Sequence, residues 1–415
     1  MVVISDEIQI KNAPTKVLLH TAQDIVQGIC SDSVVFDDVK LNRLPTFSHS
    51  EIMTGRTIGR GGFCVVKEIV SIKSGKSKRG FMSRQRSNSN SNLTFAENDA
   101  NSKSKGVMNL TFNGVDMSPK EYLTYTCNRG KGPYFVVKQV CEDWAFTNRI
   151  TFLKGTVDLA LEAKYLASLS HPNIVELRAV SEGGPFKEGY FIFLERLNDT
   201  LPTKLKKWTT VDRQCKGITG VFVGGKKKLD SLYISRMEAA YGIANALNYV
   251  HSRNLVYRDI KPDNIGFDQK GTVKLFDFGL AKELKEKDKA KHGLYNLTGF
   301  TGSIRYMAPE VGLRYPYNQK ADIYSFSMLL WYILALEPPY GFYTPEMFVS
   351  RVFQQGHRPV TMSDWPSALC VLMKKCWDAK LDVRPSWDEI LDSIQREVST
   401  CDPLAARALA LTYMK

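Results

Sequence analysis

The chain has no long hydrophobic run. Its longest uninterrupted apolar stretch, Met328–Leu336, is nine residues, against the ~20 a helix needs to cross a bilayer. No membrane span is therefore expected. CxxC pairs are absent too: the eight cysteines are scattered, which argues against a structural zinc site and for the reduced thiols of a cytosolic or nuclear protein. The first residues include Asp6 and Glu7 and no extended apolar core, so a secretory leader is not expected. There is no internal repeat and no basic stripe running along a periodic element. Net charge is +13, but residues 71–131 carry +7 of it and residues 204–228 another +7. The excess is thus confined to two local stretches, and specific nucleic-acid binding is not expected. What remains is ordinary globular composition, 43% hydrophobic and 24% charged. At 415 residues the chain exceeds what one core usually holds, ~250–300 residues, so two lobes are expected.

Along the chain, residues 1–49 contain short apolar runs but no long periodic element, and read as a partly ordered extension. Thr57-Ile58 and Phe63–Ile69 read as strands around a glycine turn. Residues 71–131 are Ser-, Asn-, Lys- and Arg-rich and read as an insertion, disordered at least to about Asn109. A strand follows at Tyr134–Val140. An amphipathic helix is expected from near Asp158, with Leu159, Ala163, Leu166 and Leu169 at helical spacing, ended by His171-Pro172-Asn173. Residues 204–228 read as a second basic loop insertion. Ser231–Ser252 reads as a helix, Ile265–Phe276 as a hairpin, and Glu283–Lys291 as a charged mobile loop. Helices are expected at Asp322–Leu336, Pro366–Asp378 and Ser386–Val398.

Three short motifs carry chemistry. Gly59-Arg60-Gly61-Gly62 lies between two strands, where glycines let backbone amides approach phosphate oxygens. It lacks the GK[ST] of a P-loop, and no helix follows as a dinucleotide fingerprint requires. Tyr257-Arg258-Asp259-Ile260-Lys261-Pro262-Asp263-Asn264 follows a helix; thirteen residues later comes Asp277-Phe278-Gly279, and then Met307-Ala308-Pro309-Glu310. Each motif alone could be a surface turn. Their order and spacing together resemble the eukaryotic protein kinase family. The likeness runs from about Ser50 to Val398.

That resemblance implies an α+β, bilobal protein kinase fold: a small antiparallel β-sheet lobe with one main helix (residues 50–195) and a larger, mostly helical lobe (196–398), with a tail at 399–415. It implies ATP and Mg²⁺ as cofactors and a protein Ser/Thr hydroxyl as acceptor. Asp259 is implied as catalytic base, Lys261 as positive charge beside the moving phosphate, and Asn264 and Asp277 as oxygen donors to Mg²⁺. Lys138, in Phe135-Val136-Val137-Lys138, would pair with nucleotide phosphates and with a helix glutamate, Glu162; Glu142 lacks that context. Ile58, Gly59, Gly61, Gly62, Val66 and Val136 would cover the nucleotide, Leu194 would back it, and Glu195–Leu197 would be the hinge. Glu310 would pair with Arg384, and Asp322 would anchor the catalytic loop. Ile323–Trp331, Cys376-Trp377-Asp378 and Arg384-Pro385-Ser386 resemble the tyrosine-kinase-like branch of Ser/Thr kinases. The alternatives are a pseudokinase scaffold, a dual-specificity or tyrosine kinase, and a basic adaptor.

Three positions depart from the family pattern: Cys64 in the glycine loop, Tyr257 before Arg258, and Val136 over the adenine site. None removes a charge. Arg258 implies control by phosphorylation of the loop between Asp277 and Glu310, with an upstream kinase as partner and Thr298 or Thr301 as acceptor; Ser303 is expected to contact Asp259 and Lys261. Arg84 and Arg86 before Ser89 would suit a basophilic kinase.

Overall fold

The computed structural model describes residues 7–73, 93–95, 110–112, 115–130, 134–217 and 225–413. The Arg84–Ser89 motif lies outside them. The first lobe is built on a six-stranded sheet of β1 (Thr46–Phe47), β2 (Ile52–Arg60), β3 (Cys64–Ile72), β4 (Phe135–Val140), β5 (Leu177–Ser181) and β6 (Phe191–Glu195), in the order β1-β5-β6-β4-β3-β2. β-Branched and aromatic residues dominate β3, β4 and β6, which suits a pleated, buried surface. All pairings are antiparallel except β1, which adds parallel to β5 at the edge. One face of the sheet packs on a long helix. The other buries Phe47, Ile69, Phe135, Val137, Phe191 and Phe193 against a smaller helix.

The helices used below are α1 (Thr15–Cys30), α2 (Pro119–Arg129), α3 (Arg149–Ser168), α4 (Leu201–Lys216), α5 (Gly225–Ser252), α6 (Lys320–Ala335) and α7 (Trp387–Cys401). α3 covers the first lobe's sheet; α4 to α7 form the second lobe. The core of that lobe runs through α5 and α6, whose Ala, Leu and Phe side chains are almost all buried. A hairpin, Ile265–Phe267 against Val273–Leu275, lies at its upper edge. This is the expected division into a sheet lobe and a helical lobe.

Several local expectations are corrected. Residues 1–49 do contain a long helix, α1, which buries Leu18, Leu19, Ala22 and Val26. Leu18, Leu19, Ala22, Ile25, Val26 and Ile29 do recur at helical spacing, but its N-terminus has no side-chain cap or acidic first turn, so the usual start signals are missing. The 204–228 loop is largely helix: α4 buries Leu201, Leu205, Trp208 and Cys215 and turns its lysines to solvent. Charge density hid that stripe. In the first insertion, Leu93–Phe95 pairs with Leu110–Phe112. α2 lies within the same insertion, opened by a reciprocal Ser118/Glu121 capping box, and Leu123 and Cys127 bury against the sheet. α3 starts at Arg149, so Asp158 is mid-helix. Glu283–Lys291 is not a free loop at its start, because Glu283 and Lys285 are buried under the N-terminal segment. Local charge cannot report a partner more than 200 residues away.

Candidate active site

Lys138 sits in β4, whose register sets it opposite Val66 on one side and Ile192 on the other. From there its ammonium reaches Glu162 of α3 at 2.6 Å and Asp277 at 3.1 Å. These three residues come from a strand, a helix and a loop, and their meeting requires α3 to lie close against the sheet. Burial pulls the Lys138 pKa down, but the Glu162 and Asp277 carboxylates outweigh it and hold the group charged. Lys138 in turn pulls the Asp277 carboxyl below its ordinary value. Glu142 bonds the Gln139 amide instead.

Asp259 is buried in the turn after α5, and three donors converge on it. Lys261 Nζ lies 2.7 Å and Asn264 Nδ2 2.8 Å from its Oδ2, and the Ser303 hydroxyl donates to Oδ1 at 3.0 Å. Asn264 also donates to the Asp259 carbonyl, so both amide hydrogens face Asp259 and the amide oxygen turns away, a suitable hard donor for Mg²⁺. The loop itself is anchored by Asp322 of α6. Its carboxylate accepts from the backbone N–H of Tyr257 at 2.7 Å and of Arg258 at 2.9 Å. Trp387 Nε1 donates to His251 Nδ1, which assigns His251 the tautomer that donates from Nε2 to Asp322 at 2.9 Å. Tyr257, where a departure was noted, is fully buried, donates its hydroxyl to the Phe276 carbonyl, and packs edge-on to Phe278 at 5.2 Å. It therefore ties the catalytic turn to the Asp277-Phe278-Gly279 loop.

The residues expected to cover a nucleotide lie on neighbouring strands. Ile58 and Gly59 lie near the end of β2, with Gly59 opposite Val66, and the Gly61 amide donates to the Cys64 carbonyl across the turn. Val136 lies opposite Leu194. Burial pushes the Cys64 thiol up to about 12. The Glu195 carboxylate is committed away from the cleft, to Lys274 and to the Glu176 amide, both at 2.9 Å. Leu197 packs over Gly266, where a Cβ would come within 2.6 Å of its Cδ1. Gly266 was not singled out from sequence; a glycine inside a strand is the signal that marks such a close approach. Asp158 was read only as a helix start. It lies one turn before Glu162 on the same helix face, and a Cβ on Gly279 would sit 3.4 Å from its own Cβ.

Burial pushes the Glu162 carboxyl up to about 7 against the pull of Lys138. Burial likewise raises Asp158 to about 7, helped by the Asp277 and Glu162 carboxylates. Both acids take up a proton as pH falls through about 7, and a neutral Glu162 no longer holds Lys138 by charge. Activity is therefore expected to decline below pH about 7, by roughly tenfold per unit for a one-proton step. Stability moves the other way: a raised acid contributes most below its unfolded value near 4, and that contribution fades as pH rises through 7. The check is a kcat/KM pH profile, with the acid limb moving to lower pH in Asp158→Asn because a neighbouring negative charge is gone.

The segment after Asp277 is held over the catalytic turn at Gly302. Its φ is +94°, and a Cβ there would lie 2.2 Å from the Arg258 carbonyl oxygen. Gly302→Ala is thus both strained and clashing, a cost of about 1–3 kcal/mol on this arrangement. The expected result is a kcat lower by on the order of tenfold in steady-state assays, through loss of the Ser303–Asp259 contact. Of the two candidate phosphorylation sites, Thr298 is exposed, whereas Thr301 is buried and donates to the Thr298 carbonyl at 3.0 Å. Arg258 donates to the Leu280 carbonyl at 2.7 Å.

Residues 148–394 match the family described as protein tyrosine and serine/threonine kinase. The chain is 32% identical over 250 residues to the serine/threonine-protein kinase VIK of Arabidopsis thaliana, covering 58% of this chain and 50% of that protein. It is 32% identical over 231 residues to mitogen-activated protein kinase kinase kinase 13-B of Xenopus laevis, covering 55% and 21%. It is 38% identical over 156 residues to the dual specificity protein kinase shkB of Dictyostelium discoideum, covering 37% and 23%. The chain thus spans half or less of the length of these relatives. The family match begins after the glycine turn and Lys138; the insertion separates the glycine turn from the strand that bears Lys138, and the sheet sets Val66, just after that turn, opposite Lys138.

Proposed function

The chain belongs to the protein tyrosine and serine/threonine kinase family, and from that premise we propose that it transfers the γ-phosphate of ATP to serine or threonine hydroxyls of protein substrates. The observation that carries this reading is the joint closure of two clusters: Lys138 on Glu162 and Asp277, and Asp259 within reach of Lys261, Asn264 and Ser303. A scaffold with no turnover has no need of all these contacts at once. The donor set suits the cofactor: a carboxylate, an amide oxygen and an ammonium are what Mg²⁺ and phosphates bind. Asp277, Asn264 and Lys138 would hold ATP·Mg²⁺, which supplies an activated phosphoryl group. Asp259 accepts the proton of the acceptor hydroxyl, and its three donors keep its oxygens aimed for that transfer. Lys261 offers positive charge where negative charge builds up in the transition state.

Serine and threonine are favoured over tyrosine by Lys261-Pro262 and by Ser303 on Asp259, and by the names of several relatives. An upstream activating kinase and a cytoplasmic location are part of the same proposal; phosphate at the exposed Thr298 would lie in the segment that Arg258 contacts. The test is transfer from ATP·Mg²⁺ to a mixed peptide library and to the chain itself, with Asp277→Asn in parallel. Phosphoserine or phosphothreonine from wild type alone supports the reading. No transfer, even after treatment with an activating kinase, removes it; phosphotyrosine alone replaces it with tyrosine specificity.

A further inference from the structure

Residues 15–44 are not merely packed against the first lobe. They touch the two elements that carry the phosphate-side residues. α1 lies along α3, burying Leu18, Leu19, Ala22 and Val26, and Arg149 of α3 donates to the Ala13 carbonyl. Further along, the Asp37 amide donates to the Ser168 hydroxyl at 2.8 Å, Phe36 packs on Tyr165 at 4.8 Å, and Asp38 pairs with Lys164. These contacts hold the C-terminal half of α3, the half that bears Glu162.

The turn between α1 and Asp37 makes a different set of contacts, with the chain just beyond Asp277-Phe278-Gly279. Asp32 pairs with Lys285 and, at 2.8 Å, with Lys287. Lys285 also donates to the Ile29 carbonyl at 2.6 Å, and the Val34 amide donates to Glu283 Oε1 at 2.9 Å. Glu283 and Lys285 are 3% and 7% exposed. Two charged side chains are buried there with partners that the N-terminal segment supplies. Leaving such groups buried and unpaired costs more than an ordinary surface contact could return. A direct bond closes the triangle: the Tyr165 hydroxyl donates to the Ala281 carbonyl at 3.2 Å. Tyr165 is three residues from Glu162, and Ala281 is four from Asp277.

We propose that residues 15–44 are a built-in positioning element for phosphotransfer, in which Asp32, acting through Lys285 and Lys287, clamps the segment after Asp277 onto the helix that carries Glu162. The clamp holds the two carboxylates that must reach Lys138 together. It acts on the pair that meets Lys138, so its loss is felt in nucleotide capture as well as in the turnover step. The proposal rests on the phosphotransferase reading for its kinetic consequence only.

The test uses the full chain with Asp32→Ala, and a charge-reversed triple variant, Asp32→Lys with Lys285→Asp and Lys287→Asp. Both are assayed for kcat and KM for ATP and for melting temperature. Hydrogen exchange is followed by mass spectrometry over 158–168 and 280–288. Asp32→Ala is expected to lower kcat about fivefold to twentyfold and to raise KM for ATP, and to speed exchange in both windows. The triple variant is expected to recover at least half of the loss. A kcat within twofold of wild type, or a loss that follows the melting temperature and is not rescued by charge reversal, overturns the proposal and leaves a passive brace. If wild type transfers no phosphate at all, the kinase reading fails separately; the exchange windows then decide the clamp, faster exchange at 158–168 supporting it and unchanged exchange overturning it.

Discussion

Asp259→Asn is expected to lower kcat by about 10²–10⁴-fold, the usual contribution of a positioned general base. The substitution preserves shape and removes the acceptor character of one oxygen. Lys261 and Asn264 both donate to Oδ2 and Ser303 donates to Oδ1, so an amide NH₂ at either position faces a donor. The substrate hydroxyl loses its proton acceptor and the loop loses a convergence point. The Lys138–Glu162–Asp277 cluster is not touched, so nucleotide affinity measured by calorimetry should stay within a few-fold. Retention of more than a tenth of wild-type kcat would remove Asp259 from the role of base. A large loss of nucleotide affinity instead would mean that the turn collapsed.

Arg384→Ala is expected to be the most destabilising single change in the second lobe. Arg384 is 1% exposed. Its two terminal nitrogens meet Glu310 at 2.6 and 2.9 Å, and the guanidinium also donates to the Asp378 and Lys320 carbonyls, each at 2.9 Å. The planar fork also faces the Tyr324 ring at 5.4 Å, so shape and charge are used together. Truncation leaves the Glu310 carboxylate buried without its cation. Breaking such a pair costs about 3–5 kcal/mol, which lowers the melting temperature by roughly 10 °C for a lobe of this size. Calorimetry of Arg384→Ala, Glu310→Ala and the double variant checks it. The double variant should cost clearly less than the sum, because it removes the stranded charge. Additive costs would mean that the pair is not coupled. Glu310 lies in the first turn of the short helix that ends the segment over the catalytic turn, so activity should fall with stability here.

The legibility of the site and of the fold differ for a physical reason. Asp259, Lys261 and Asn264 fall within six consecutive residues, and a turn that short leaves little freedom in how their side chains meet. Asp277 and the Glu310 motif follow at spacings set by a short hairpin and a loop. Lys138 was legible because a strand of β-branched residues frames it, and Glu162 because it lies mid-helix, nine residues before His171-Pro172-Asn173. Gly266 and Asp158 were not, since their importance lies in what they approach: Leu197 and the Asp277 loop. The helices α1, α2 and α4 were missed for related reasons. α1 lacks the start signals of a helix at its N-terminus, and α2 and α4 lie in surroundings rich in charge or in Ser and Asn. Each is stabilised by the surface it covers more than by its own propensity.

By itself the sequence determined the family and pointed to the groups proposed for the reaction, because short-range spacing dictates which side chains share a turn and which oxygen and nitrogen donors are at hand. Tertiary structure decided what those groups do together. The Ser303 hydroxyl reaches Asp259 across 44 residues, Glu310 meets Arg384 across 74, and Lys285 meets Asp32 across 253. No local pattern encodes such meetings, since each depends on where α3, α6 and the N-terminal helix come to rest, and packing of buried faces sets that.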